Sequence, residues 1–567
     1  MLKKILFILD NKQKKKVIIF FLFSILIISL ELLSLGMLIP LVNIITNPSG
    51  FIDYLTFVPF DLSTLNPANL IILVLVLFNA LILIKSIFLY IAQKYQIKFM
   101  GEFQENLQNK LFRNYIYQSI TSLMKKNISQ INRNAVDLPN EFTTLLLTPI
   151  LTIISDVALL IFIVMLLIFA EPVMTIMGAT VMLGVGAYIF FINKKILIFN
   201  GKKYTLNKSE IIKTVNETFG AILEVKSFKK ENLFINKFQV FSKDLKDIRI
   251  KLSILNFVPK ILFEIISIIL ISIFFIILSL RFDNLNEMLS LLVLFSFAII
   301  KITPLINKIL ANAQRIKYSQ PFLNEIYATL SILNLKKTDL TKTLKFKSSI
   351  DLLNIDYQYD KSRFILKNIN LSIKKNQFIG ISGESGSGKS TLLKIILGLI
   401  EPIDGKILLD GQEILSNLNQ WQEKISFVPQ DVFILDDTLR NNITLEVEEN
   451  KVDFKKLELV VNLSNLRTFF DALPKGYETI LGDKGSKISG GQKQRIGIAR
   501  ALYGISEIII FDESTSSIDE KNEIEIFKNL QKLKEHKTII FVTHRKTIKE
   551  YCDNFYFLED NILKKYN

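Results

Sequence analysis

Long apolar runs separated by lysine-rich stretches dominate the first half of this chain. Six such runs lie at about 17–44, 69–93, 140–169, 172–193, 256–280 and 286–310, each near the roughly 20 residues that a membrane-spanning helix needs. Stretches such as 265–280 are apolar on every face, unlike the helices that pack one side of a soluble core. The pattern predicts six spanning helices. Lysine and arginine placement orients them. The 45–68 loop and the 170–171 turn carry neither, and the loop after the fifth run has Arg281 alone. The 94–137 loop carries Lys94, Lys98, Lys110, Arg113, Lys125, Lys126 and Arg133, and the 194–255 loop is denser still. Both termini and both long loops are therefore expected in the cytoplasm, with three short loops outside.

The long loops are expected to extend the membrane helices inward, because Ile211, Val215, Phe219 and Ile222 keep helical spacing. Their tips, near 117–123 and 220–228, either meet a partner domain or stay solvated; the soluble domain that follows in the chain favours contact. Phe51, Tyr54, Leu55 and Val58 make one apolar face of a short outer-loop stretch ended by Pro59. That stretch is either an interfacial helix or a loop packed on its neighbours. The first domain is expected over 1–325, with a polar, lysine-rich linker at 326–348. From 349 to 567 short apolar strands alternate with helical stretches and no segment is long enough to span, which predicts an α/β domain.

That second domain holds Gly383-Glu384-Ser385-Gly386-Ser387-Gly388-Lys389-Ser390-Thr391, a full match to the phosphate-binding loop. The apolar run before it reads as a buried strand, and Leu392 to Ile396 as the first turns of a helix. Glycines let main-chain N–H groups close around phosphate oxygens, and the helix N-terminus adds partial positive charge. Lys389 is expected to neutralise the β- and γ-phosphates, and Ser390 to hold Mg²⁺. Ile508 to Glu513 is an apolar strand ending in two acids: Asp512 is the metal-side acid and Glu513 the candidate general base for an attacking water. Ser489, Gly490, Gly491 and Gln492 form a turn opening another helix, a second anion site. One chain has little use for two such sites, whereas a head-to-tail pair uses both, each nucleotide lying between one chain's Lys389 and the other's Ser489.

Composition then narrows the classes. The 567 residues are 50% hydrophobic, with a net charge of +16. A basic balance suits nucleic acid or lysine-rich cytoplasmic loops; the spans decide for the second, and no nucleic-acid partner is expected. A single Cys552 excludes an intrachain disulfide and a cysteine metal cluster, and two histidines, His536 and His544, make a histidine metal site unexpected.

Phosphate loop, Ser-Gly-Gly-Gln turn and paired strand-end acids stand in the order of an ATP-binding cassette. Gln430 in Phe427-Val428-Pro429-Gln430 resembles the Q-loop, Ser516-Ser517-Ile518-Asp519 the D-loop, and Thr543-His544-Arg545 the switch histidine. Tyr359 resembles the aromatic that stacks on adenine, and Gly482-Asp483-Lys484-Gly485 the acidic loop of exporters. Ile488 stands for the usual leucine, Asp483 for glutamate, and Ser506 where proline is common; none removes a group the chemistry needs. With six spans in front, the chain resembles an ABC exporter half-transporter: a multi-domain membrane protein with a six-helix all-α transmembrane domain followed by an α/β P-loop ATPase domain. The resemblance implies ATP and Mg²⁺, a homodimer with composite sites, Gln430 and His544 beside Glu513 in catalysis, and Gln430 beside Ser390 and Asp512 at the metal. It also implies closure of paired cassettes on ATP, opening the cavity outward, with hydrolysis resetting the cycle.

Met1-Leu2-Lys3-Lys4, the 34–40 phrase, Val258-Pro259-Lys260 and Lys301-Ile302-Thr303-Pro304 resemble the lipid-linked oligosaccharide flippases of bacterial protein N-glycosylation (PglK type). That resemblance implies a bacterial cytoplasmic-membrane flippase for a lipid-linked anionic substrate; export of other lipids, drugs or peptides is the alternative. Lys85 and Lys301 lie roughly 22–24 Å from the outer ends of their spans and Lys260 about 30 Å, at 1.5 Å per residue. With Lys308, they form either a basic belt for a pyrophosphate head group or a set of lysines snorkelling to the interface. Glu31, near the middle of the first span, is placed to neutralise one of them.

Overall fold

The structure is a computed structural model that describes residues 1–37, 67–118, 120–124, 126–281, 285–331, 344–358 and 364–566. The outer-loop stretch at 51–58 and Tyr359 lie outside the described residues. The chain divides into two compact units, Met1–Gln118 with Leu123–Leu335, and Ser119–Ser122 with Lys336–Asn567.

In the first unit a short helix, α1 (Leu2–Ile8), precedes α2 (Asn11–Gly36). Then come α3 (Pro67–Ile116), α4 (Ile128–Phe142), α5 (Thr148–Ala170), α6 (Pro172–Gly220), α7 (Glu231–Arg281), α8 (Leu285–Tyr318) and α9 (Gln320–Ser331). Among the described residues six helices are long and apolar enough to cross a membrane. Three run well past the apolar spans, to 50, 49 and 51 residues in α3, α6 and α7. Helical periodicity in the polar loops does continue the spans. The first residues of the expected linker are likewise helical, as the end of α9.

Between α4 and α5 the chain takes one wide π turn, Thr143–Leu147, in which Thr148 N–H reaches back to the Thr143 carbonyl. Pro149 follows immediately and has no N–H to offer the carbonyl four residues earlier, so the regular ladder cannot run through.

Apolar side chains such as Ile18, Leu22, Leu83, Ile87, Phe169, Ile268 and Phe275 remain exposed along the spans, as a lipid-facing surface requires. Phe263, Phe274, Phe295 and Leu278 form the core at membrane depth, with the Phe274 and Phe295 rings edge to face at 5.3 Å. A second core collects Phe99, Phe103, Phe142, Tyr318 and Phe322 from α3, α4, α8 and α9. There Gly201 of α6 meets the end of α8 so closely that a Cβ would lie 2.1 Å from the Tyr318 carbonyl oxygen.

The second unit contains two sheets. One is four-stranded and antiparallel, in the order β2-β1-β4-β5: β1 (Ser349–Tyr357), β2 (Leu366–Lys374), β4 (Asp404–Leu409) and β5 (Gln412–Glu413). The other has six strands in the order β10-β9-β3-β8-β7-β6: β3 (Phe378–Gly383), β6 (Ile425–Val428), β7 (Ile508–Asp512), β8 (Thr538–Val542), β9 (Asn554–Glu559) and β10 (Ile562–Tyr566). All its pairings are parallel except β9 with β10. β3, β7 and β8 are almost wholly buried, so their sequences read as continuous apolar runs rather than alternating ones. Helices α10 (Lys389–Ile396), α11 (Gly490–Tyr503) and α12 (Glu520–Leu533) complete the elements that carry the site.

Candidate functional site

Parallel register brings four chain segments to one edge of the six-stranded sheet. Ile381 of β3 is level with Val542 of β8, Asp512 of β7 with the same Val542, and Val428 of β6 with Phe511. The residues just beyond these strand ends therefore converge: Gly383 to Lys389, Asp512 with Glu513, Gln430, and His544. Carboxyl ends of parallel strands are where open α/β sheets place ligands.

The loop after β3 is shaped by its backbone. Gly386 and Gly388 have φ of +82° and +105°, a region that other residues enter at a cost. At Gly388 a Cβ would also press on the Ile365 carbonyl at 3.0 Å. Gly388 caps α10, so the first free N–H groups of that helix open into the loop. Lys389 is only 5% exposed, and its ammonium donates to the main-chain carbonyls of Gly383 at 3.0 Å and Glu384 at 2.8 Å. Burial lowers its pKa; the nearby Glu513 and Asp512 charges offset part of that effect. Ser387 Oγ is buried and has no hydrogen-bond partner. A buried ammonium held by carbonyls and an orphan hydroxyl beside it are groups with capacity left for an anion.

Across the loop, burial raises the Asp512 carboxyl and the neighbouring Glu513 charge raises it further; Lys389, Lys394 and a hydrogen bond with Ser390 act the other way. Glu513 sits at φ +48°, with its N–H held by the Val542 carbonyl at 2.9 Å. Both of its carboxylate oxygens are engaged: His544 Nε2 lies 2.6 Å from Oε1, and Gln430 Nε2 donates to Oε2 at 3.1 Å. Glu513, Gln430 and His544 thus form one hydrogen-bonded group, and Asp512 with Ser390 a second beside Lys389. The Asp512 carboxylate, the Ser390 hydroxyl and the Gln430 amide oxygen are hard oxygen donors that suit Mg²⁺ shared with substrate phosphates. Among the described residues no cluster of three or more His, Cys, Asp or Glu side chains is placed to hold a metal by itself.

Ser489 caps α11. Its hydroxyl accepts from Gln492 N–H at 3.3 Å, and Gln492 Oε1 accepts from Ser489 N–H at 2.8 Å. These hydrogen bonds close within the turn. The helix that follows carries a connection the motifs do not announce. Gln494 donates to Ser516 Oγ at 3.0 Å and accepts from Ser517 N–H at 2.9 Å. Arg545 donates to the Ser516 carbonyl at 3.2 Å and to the buried Glu523 carboxylate. The segment at 516–517 is thereby held from α11 and from the residue next to His544. The lone sequence signal was adjacency of Gln494 and Arg545 to motif residues.

In the first unit the four candidate lysines do not share one environment. Lys85 and Lys301 both reach Glu31, at 2.8 and 3.1 Å. Lys308 pairs with Asp156 at 2.9 Å. Lys260 has no ion pair among the described residues. Glu31 therefore meets two lysines rather than one.

Helices of spanning length, followed by a phosphate-loop α/β unit, define a membrane protein with a nucleotide-binding domain. The chain belongs to the ABC transporter family: residues 16–305 match the ABC transporter transmembrane region and residues 366–516 the ABC transporter domain. It is 28% identical over 407 residues to ABC transporter B family member 29, chloroplastic, of Arabidopsis thaliana, covering 71% of this chain and 64% of that protein. It is 24% identical over 459 residues to the ATP-dependent lipid A-core flippase of Paraburkholderia xenovorans (strain LB400), covering 80% and 76%. Its backbone matches the structure of a bacterial Atm1-family ABC exporter with ATP bound, with a TM-score of 0.82 over 98% of this chain and 95% of that one; at 19% identity the likeness is one of fold. The chain spans 64%, 33% and 36% of the length of the first curated relatives it matches.

Proposed function

We propose that this chain is an ATP-hydrolysing half-transporter that works as a homodimer in a bacterial cytoplasmic membrane, with both termini cytoplasmic. Its substrate is a lipid-linked anion, a lipid-pyrophosphate-linked oligosaccharide. The observation that carries the substrate reading is the meeting of Lys85 and Lys301 at Glu31 within the spans. Charges at that depth are costly even when paired, and where they are kept they mark substrate or ion paths. The flippase relative supports lipid movement, and the lysine-bearing phrases of the spans support the oligosaccharide class.

At the nucleotide, Lys389, Ser387 and the main-chain N–H groups at the start of α10 hold the phosphates. Ser390, Gln430 and Asp512 would hold Mg²⁺, which when bound screens the charge of the phosphate oxygens. Glu513 takes a proton from water at whichever oxygen His544 or Gln430 releases. Held from both sides, it is positioned but occupied until one of those bonds opens. His544 then turns to the γ-phosphate. Ser489 and Gly490 to Gln492 complete the site of the partner chain, so closure of the pair adds contacts that only the closed state has.

Mass spectrometry of lipid co-purifying with the Glu513→Gln protein tests the substrate. A polyprenyl-pyrophosphate glycan is expected. A neutral lipid, a drug-like molecule or a peptide in its place would move the assignment to the other export classes.

A further inference from the structure

Glu31 of α2, Lys85 of α3 and Lys301 of α8 meet among apolar spans. Each carboxylate oxygen serves one ammonium: Oε2 lies 2.8 Å from Lys85 Nζ and Oε1 3.1 Å from Lys301 Nζ. The Glu31 and Lys85 side chains are 12% and 14% exposed, and Lys301, at 38%, opens furthest to the surroundings. Lys301 also lies over the Phe297 ring, 5.8 Å from its centre.

Lys308, also in the spans, has a single counter-ion among the described residues, Asp156 at 2.9 Å. One-for-one pairing is what a membrane protein needs to lower the cost of its own buried charges. The junction departs from it: two ammonium groups share one carboxylate, and a net positive charge is left. Two oxygens of a phosphoryl group can make the same kind of contact with two ammoniums as a bridging carboxylate does.

We propose that Glu31 is a built-in competitor for the substrate's anion. Its carboxylate holds Lys85 and Lys301 together while substrate is absent, and a phosphoryl head group displaces it and takes over both ammonium contacts. The inference rests on the head-group reading of these two lysines and gives Glu31 a role that reading does not. It has two consequences. A neutral lipid cannot displace Glu31, whereas a doubly charged pyrophosphate outcompetes a single carboxylate, so the competitor sharpens selection by charge. Glu31 also stays beside the bound anion as a like charge, which favours release and keeps the site from holding its cargo too tightly.

The test uses the full-length protein in lipid nanodiscs, its nucleotide site filled with ADP, and radiolabelled farnesyl pyrophosphate as the probe. Lys301→Gln should weaken probe binding on the order of tenfold, and Glu31→Gln should tighten it by a similar factor. Glu31→Gln leaves two lysines without a counter-ion and risks misfolding, so the double variant Glu31→Gln/Lys301→Gln carries the decision. It has the same net charge as the wild-type junction and lacks the competitor, and it should bind within about threefold of wild type, rescuing Lys301→Gln. A double variant no better than Lys301→Gln overturns the proposal while the head-group reading stands. Probe binding indifferent to Lys85→Gln, Lys301→Gln and Glu31→Gln alike removes the head-group reading, and the competitor role falls with it. Unlabelled farnesol competing as well as farnesyl pyrophosphate overturns the proposal too. Inorganic pyrophosphate competing equally well supports the competitor role and assigns the anion to a free phosphate rather than a lipid.

Discussion

On the proposed function, the nucleotide loop and the junction at Glu31 are two ways of preparing a protein for an anion. In the α/β unit the backbone does most of the work: Gly386 and Gly388 bend the chain, α10 offers free N–H groups, and Lys389 adds one charge. In the spans the backbone has nothing to give, because every helical N–H inside a bilayer must be satisfied within the helix. The proposed recognition there falls to lysine side chains, and lysines in that setting need a counter-ion, which Glu31 supplies. Backbone recognition leaves a contiguous motif in the sequence; side-chain recognition leaves single residues far apart.

The strongest way to separate the two regions is to disable one and read the other. Glu513→Gln should lower ATP turnover by about 10²- to 10⁴-fold, with ATP affinity retained because the phosphate cradle is untouched. Lys389→Ala should weaken ATP binding itself, measured by equilibrium titration. Near-normal ATPase activity in Glu513→Gln would displace Glu513 from its assigned role. Mixed dimers of Lys389→Ala and Ser489→Arg chains place both lesions in one composite site, and they should recover part of the ATPase activity of the wild type.

A smaller effect sharpens the comparison from the membrane side. Gly201→Ala would put a methyl group 2.1 Å from the Tyr318 carbonyl oxygen, a backbone atom that cannot swing away. Overpacking of that kind costs about 1–3 kcal/mol. Thermal unfolding in detergent should show the first unit melting earlier, with nucleotide affinity unchanged. An unchanged melting profile would mean that α6 and α8 separate there at no cost.

The smallest effect concerns acid. Burial alone would raise the Asp410 carboxyl, yet hydrogen bonds from Ser348 and from the Ser349 and Lys347 N–H groups hold it down at about 2. A folded-state pKa below the unfolded value of about 3.9 gives stability that is complete above pH 4 and lost as pH falls toward 2. Asp410→Asn should therefore cost about 1–2 kcal/mol at pH 7 and make unfolding of the second unit less pH-dependent between about pH 4 and 2. An identical acid profile in wild type and variant would show that the carboxylate is not the group being titrated.

Much of this was legible in the chain. Six apolar runs correspond, among the described residues, to six helices long and apolar enough to span, because hydropathy and length are local properties. The phosphate loop, Asp512 and Glu513 could be named from motifs at strand ends, and Gln430 and His544 from their resemblance to the Q-loop and the switch histidine; parallel register then brings those ends together. The π turn at Thr143–Leu147 has a cue in Pro149, but proline inside a helix more often kinks or ends it, so its form was not predictable. That Glu31 binds both Lys85 and Lys301 depends on how α2, α3 and α8 rotate about their axes, which no spacing along one helix reports. The bridges of Gln494 and Arg545 to 516–517 were hidden for the same reason: their partners lie 22 to 29 residues away in sequence.

On the proposed function, ATP hydrolysis in one region moves an anion recognised by the other, and one reconstitution tests this directly. Wild-type protein and Lys85→Gln/Lys301→Gln would be placed in sealed vesicles containing a fluorescent polyprenyl-pyrophosphate glycan, and ATP-dependent movement of the glycan across the bilayer would be measured beside ATPase activity. The account predicts movement by the wild type, a loss of about tenfold or more in the double variant, and basal ATPase activity within about twofold of wild type. Equal movement by both proteins, or no movement by a wild type that hydrolyses ATP, would contradict it.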